Sequence, residues 1–167
     1  MEMKKKMKVK KVFWLEDQFK DFSAYKSTLF RAGYAVDTVG SVSEAVEKLR
    51  NDNYIAVIFD IKVLPGSDSQ WIALDKEKRK EKPDSYLGLE LLRSLLKPEI
   101  ARVKVEPPIK IDPKKIIVLS VVFDRAEAIS SLGIPGYQIL YKATSNPKHI
   151  VQMIKNMEAS DEKRSEK

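Results

Sequence analysis

Cysteine is absent and histidine occurs once, at position 149. The first absence removes disulfide frameworks, thiolate metal sites and cysteine nucleophiles, and the second removes a histidine-rich metal site. No stretch approaches the roughly 20 apolar residues needed to cross a bilayer. The basic N-terminus, Met1–Lys11, is not followed by the apolar core of a secretory signal, because the run Val12–Leu15 is short and ends in acids. A cytoplasmic protein with no membrane association is therefore expected. No aromatic platform accompanies the lysine runs Lys4–Lys11 and Lys76–Lys82. The net charge of +7 and pI of about 9.4 thus read as a solvated, lysine-rich surface in which cations and acids interleave, with nucleic-acid binding the weaker alternative.

What is present suits one domain. The chain has 167 residues, of which 43% are apolar, enough for a core without covalent staples. Five short apolar runs stand out: Lys11–Leu15, Ala35–Val39, Ile55–Phe59, Ile116–Leu119 and Tyr137–Tyr141. Several are nearly continuous in Val, Ile and Phe, which is how strands buried on both faces of a parallel sheet read. Helical patterns lie between them. Phe19, Phe22, Tyr25 and Leu29 share one face, with Gly33 as the stop. Ser41 and Glu44 have the spacing of a capping box opening a helix through Leu49. Leu89, Leu92 and Leu96 line a helix ended by Pro98. Asp124 is placed to cap a short helix through Leu132, and Asn146 with Pro147 opens a last one. Five β–α units in series predict an open, doubly wound parallel α/β sheet. Two segments exceed that plan. Residues 67–85 are polar and charged around Trp71, Ile72 and Leu74, and predict a loop insertion with room for a short helix. Residues 99–115 carry three prolines around a Val/Ile alternation, and predict a β-like arm. Residues 159–167 are charged and predict a disordered tail.

The chemistry lies at the strand ends. The first run ends in Glu16 and Asp17, the third in Asp60, the fourth in Ser120 and the fifth in Lys142. Open parallel sheets bind ligands at this edge, where the strand order reverses. With the order 2-1-3-4-5, the first and third strands flank that point and bring three carboxylates together. Such a cluster raises its own pKa values unless a cation joins it, and Mg²⁺ is the hard cation that carboxylates, water and phosphate oxygens suit. Ser120 and Lys142 beside it suit an anion. Carboxylate, metal and lysine together describe phosphoryl transfer onto an aspartate.

These residues resemble the receiver domains of two-component response regulators. Lys11–Asp17 (KVFWLED) is similar to their first strand with its acidic pair, Tyr54–Asp60 (YIAVIFD) to the third strand ending in the phosphoacceptor, and Gly88–Leu92 (GLELL) to the start of the third helix. Ile116–Ser120 (IIVLS) is similar to the fourth strand with its hydroxyl residue, and Lys142 follows at a comparable spacing. The resemblance covers most of the chain, outside the insertions and tails. It implies a flavodoxin-like five-stranded sheet of order 2-1-3-4-5 and one receiver domain over residues 1–158, with insertions at about 67–85 and 99–115. It implies that Asp60 accepts the phosphoryl group, that Glu16, Asp17, Asp60 and the backbone carbonyl of Lys62 hold Mg²⁺, and that Ser120 and Lys142 engage the phosphoryl oxygens. The implied donor is a sensor histidine kinase or phosphotransfer protein. A separate effector chain is expected, since no output domain follows the last helix, and a homodimer is compatible with the pattern. The chain would then be a phosphoacceptor with at most self-phosphorylation and self-dephosphorylation activity, rather than a conventional enzyme.

Departures from the family pattern cluster near the switch. Val121 stands where a small residue is usual, Ile139 where an aromatic is, and Ala143 where a proline is, while Pro65 lies one residue further from Asp60 than is typical. The alternative is a receiver-fold interaction module that is rarely or never phosphorylated. A haloacid-dehalogenase-like phosphatase fits less well, because its second aspartate would fall on Lys62.

Overall fold

The computed structural model describes residues 8–121 and 124–166, so residues 4–7 of the N-terminal lysine run lie outside the described residues. Five strands, β1 (Lys10–Leu15), β2 (Tyr34–Val39), β3 (Ala56–Phe59), β4 (Ile116–Ser120) and β5 (Ile139–Tyr141), form one sheet of order β2-β1-β3-β4-β5, every pair parallel. The flavodoxin-like order expected from the sequence is thus the observed one.

The continuous apolar runs are explained by two cores. Side chains alternate across a strand, so Phe13, Leu15, Val57, Phe59, Ile116 and Val118 enter one core. Val12, Trp14, Ala56, Ile58, Ile117 and Leu119 enter the other. The second core is closed by α1 (Ser23–Arg31) through Leu29 and by α6 (Pro147–Ser165) through Ile150, Val151, Met153 and Ile154. The first is closed by α2 (Val42–Asn51), α3 (Ser69–Arg79), α4 (Leu87–Leu96) and α5 (Ala126–Ser130). Caps follow the local chemistry. The Ser41 hydroxyl accepts from the Glu44 N–H at 3.3 Å, the Glu44 carboxylate reaches back to the Gly40 N–H at 3.5 Å, and Asn146 Oδ1 accepts from the His149 N–H at 3.0 Å. Gly33, at φ +94°, takes the left-handed conformation that ends α1.

Four expectations need correction. Asp124 is not the cap of α5, which begins at Ala126 with Arg125 in the cap position and no side-chain cap bond. Residues 67–85 hold the full helix α3, and Trp71 and Leu74, one turn apart, are buried in the first core, so the segment is structural despite its polar composition. Residues 99–115 form no strand. Between 3₁₀ turns at Pro98–Ile100 and Pro113–Lys115 the chain is irregular, and its carbonyls are met by side chains instead of a ladder: Ser94 Oγ donates to Val103 O at 2.6 Å and Arg50 Nη2 to Glu106 O at 2.9 Å. The Val/Ile alternation has a packing meaning, since Val103 and Val105 are buried against the first core, while the prolines withhold the N–H groups a strand would need. Finally, α6 continues through Ser165 in place of a disordered tail from 159 onward, because charges along it find partners on the fold: Asp161 with Lys115 at 2.9 Å and Arg164 with Asp112 at 3.3 Å. Among the described residues no helix is long and apolar enough to cross a membrane.

Candidate functional site

The strand ladder itself delivers the site residues. Backbone pairing runs one residue past the strands at the carboxyl edge: Glu16 N–H donates to Val39 O at 2.9 Å, Asp60 N–H to Leu15 O at 3.0 Å, and Lys142 N–H to Ser120 O at 2.9 Å. Each of these side chains is therefore fixed at its root by the sheet. Glu16, Asp17 and Asp60 come together, with one carboxylate oxygen from each within 4.8 Å of the others. Glu16 and Asp60 are buried, and Asp17 is exposed.

Lys142 crosses the sheet to join them. Its ammonium donates to Glu16 Oε2 at 2.6 Å and to Asp60 Oδ2 at 2.9 Å, above the Phe22 ring at 4.8 Å from its centroid. Two backbone amides add to the hold, Gln18 N–H on Glu16 Oε1 at 3.1 Å and Lys62 N–H on Asp60 Oδ1 at 3.3 Å. Burial pushes the Glu16 carboxyl up to about 7; Asp60 pushes in the same direction while Lys142 and the Gln18 amide oppose it. For Lys142, burial acts to lower the pKa, but the neighbouring Asp60 and Glu16 outweigh it and hold the ammonium above its ordinary range. The charged lysine is therefore built into the cluster. Three hard oxygen donors converging beside an open pocket also fit a divalent cation such as Mg²⁺.

The pocket over Asp60 has a volume of about 360 Å³ and is lined by Asp17, Lys62, Val121 and Lys142, among others. Val121 is 51% exposed and stands on the rim, so it does not close the pocket. Ser120 is buried at the end of β4. Ile139 packs against the first core, and the Lys142–Ala143 peptide is trans, Glu106–Pro107 being the cis bond among the described residues. One backbone contact sets the depth of the site. A Cβ on Gly88 would lie 2.0 Å from the Asp60 carbonyl oxygen and 2.6 Å from Ile61 Cα, and Gly88 N–H donates to Ile61 O at 3.0 Å. The start of α4 rests directly on the backbone of the Asp60 turn.

Sequence reasoning missed four neighbours. Arg79 and Asp84, from the segment read as an insertion, line the same pocket. Tyr86, in the left-handed region at φ 47°, lies with Arg125 4.6 Å and Lys62 5.9 Å from its ring centroid. Charge was the only signal that Arg79, Asp84 and Arg125 carried, and charge is common on surfaces; Tyr86 carried no signal beyond being one aromatic among several.

The parallel sheet of order β2-β1-β3-β4-β5 with helices on both faces is the fold of solved response-regulator receiver domains. No protein-family model and no curated protein matches the sequence. Solved structures do match. The chain is similar to the receiver domain of the Francisella response regulator 1452, at 17% identity and TM-score 0.58 over 89% of this chain and 95% of that one. It is similar to the CheY-like receiver domain protein of Methanospirillum hungatei JF-1, at 20% identity and TM-score 0.56 over 96% and 100%. A third, the receiver domain of sensor histidine kinase PA1611 from Pseudomonas aeruginosa PAO1, was solved with a magnesium ion coordinated in its active-site cleft; it is 12% identical, with TM-score 0.51 over 90% and 98%.

Proposed function

We propose that the chain is a signalling receiver in which Asp60 accepts a phosphoryl group from a phosphohistidine on a sensor kinase or phosphotransfer protein. The observation that carries this reading is Lys142 Nζ lying 2.6 Å from Glu16 and 2.9 Å from Asp60 at the point where the strand order reverses. Here one lysine meets two buried acids, a third acid lies beside them, and a pocket opens above.

In this reading Glu16, Asp17, Asp60 and the Lys62 carbonyl hold Mg²⁺. When bound, the ion neutralises the carboxylates and the phosphoryl oxygens. The Asp60 carboxylate oxygen forms the bond to phosphorus. Lys142, already fixed between Glu16 and Asp60, remains as the cation facing the product anion, and the Ser120 hydroxyl donates to one of its oxygens. Phosphorylation replaces the single negative charge of the Asp60 carboxylate by the roughly two of an acyl phosphate and adds a bulky group of acceptor oxygens at the carboxyl edge of the sheet, and the signal passes to a separate partner through the surface that this change rearranges.

The test is incubation with Mg²⁺ and acetyl phosphate followed by intact mass. The wild type is expected to gain one phosphoryl group that is labile to hydroxylamine. Asp60→Asn keeps the shape but cannot form the acyl phosphate and is expected to gain nothing, and omission of Mg²⁺ is expected to suppress the gain. A wild type that stays unlabelled with excess donor and metal would sink the reading.

A further inference from the structure

The inserted helix α3 brings a guanidinium to the Asp60 pocket. Arg79, its last residue, lines that pocket together with Asp17, Asp60, Lys62, Asp84 and Lys142. It is held from two sides: Nε donates to Asp75 Oδ1 at 3.0 Å and Nη1 to the Pro83 carbonyl at 3.0 Å. Asp75 is in turn fixed by the Ser85 hydroxyl. The helix beneath is anchored by buried Trp71 and Leu74 and by Lys78, whose ammonium meets the buried Glu90 carboxylate of α4 at 2.6 Å. The guanidinium is thus positioned in advance, and its two bonds use two of its five N–H donors.

The other cations of the pocket are differently engaged. Lys142 lies between Glu16 and Asp60, and Lys62 pairs with Asp84 at 3.4 Å over the Tyr86 ring. Arg79 is 46% exposed and keeps donors to offer at the rim, where an incoming anion arrives first. A planar guanidinium with fixed orientation is the side chain best matched to phosphoryl oxygens.

We propose that Arg79 binds the anionic oxygens of the phosphodonor, making the inserted helix a determinant of donor recognition at Asp60. The inference rests on the reading of Asp60 as phosphoacceptor. With acetyl phosphate as probe, an Asp60 carboxylate oxygen bonds to phosphorus, the bond from phosphorus to the bridging oxygen breaks, and acetate leaves with the electron pair. No proton moves. Arg79 holds the phosphoryl oxygens through the exchange, and Asp75 acts as the positioning residue behind it.

The test is the rate of phosphoryl mass gain at low acetyl phosphate concentration with Mg²⁺, over a range of ionic strength, for wild type, Arg79→Ala, Arg79→Lys and Asp75→Ala. One lost charge-assisted contact predicts a rate constant about tenfold lower for Arg79→Ala, with a melting temperature close to wild type. The rate should also depend less on salt, because one attracting cation is gone; a merely structural residue would leave that dependence unchanged. Arg79→Lys should recover part of the rate, and Asp75→Ala should lose part of it. If Arg79→Ala fails to fold, Arg79→Lys and Asp75→Ala decide, and wild-type rates in both overturn the proposal. A labelled wild type with an unchanged Arg79→Ala rate and salt profile overturns the role of Arg79 alone. A wild type that takes no label overturns the reading of Asp60, and this inference with it.

Discussion

Gly88 shows how little space the site has. Any side chain there meets the backbone of Asp60 and Ile61, not the flexible end of a neighbour, so α4 and the Asp60 turn would have to part. Gly88→Ala is accordingly expected to destabilise the fold by about 3 kcal/mol or more, at the upper end of overpacking costs. Because the clash is with the carbonyl of Asp60, the proposed acceptor, phosphorylation by acetyl phosphate should fall further than stability does. Urea melts and the mass-gain assay together check this, and a variant with wild-type stability would mean that α4 is free to shift. At the same scale, Lys142 is legible from its place after the last strand, but its double contact with Glu16 and Asp60 is a product of the fold.

Helix α3 is where composition misleads. Its segment is mostly charged, and the natural reading is a loop that could be shortened without effect. Two apolar residues at helical spacing are enough to reverse that, because Trp71 is 3% and Leu74 is 5% exposed. Trp71→Ala should cost about 3–5 kcal/mol, the range for emptying a large aromatic site in a core. Deleting residues 68–84 should cost more, since it also strands the buried Glu90 carboxylate without Lys78, leaving only Arg93 at 2.6 Å. Chemical denaturation decides between this and a dispensable loop. A Trp71→Ala midpoint equal to wild type would return the segment to the status of a dispensable loop.

Over the whole molecule, the charged C-terminal turns of α6 are attached to the fold by pairs between partly exposed groups, Asp161 with Lys115 and Arg164 with Asp112. Such pairs are individually weak, about 0–1 kcal/mol each. A chain ending after Glu158 should therefore fold and accept phosphate normally, with a melting temperature lower by about 2–4 °C. The difference should shrink in high salt as screening removes the pairs' contribution. Loss of cooperative melting in the shortened chain would mean that these turns belong to the core.

The local pattern of residues determined the five strands, most of the helices between them and Glu16, Asp17, Asp60, Ser120 and Lys142 as the candidate site residues. Each strand is a short apolar run, and every run except that of β2 is followed by a candidate site residue. That information is local, because burial on both faces of a sheet forces continuous apolarity wherever the strand is placed. Tertiary structure alone decided the rest. Val103 and Val105 alternate like a strand yet form none, and they share one core with Trp71 and Leu74 of α3 and line one cleft with them and with Val46 of α2. Arg79 is one basic residue among several until α3 packs on α4 and turns it to the pocket. Periodicity tells which residues an element must bury, but not which neighbour buries them or which surface charge is left facing the site, since those depend on contacts between residues far apart in the chain.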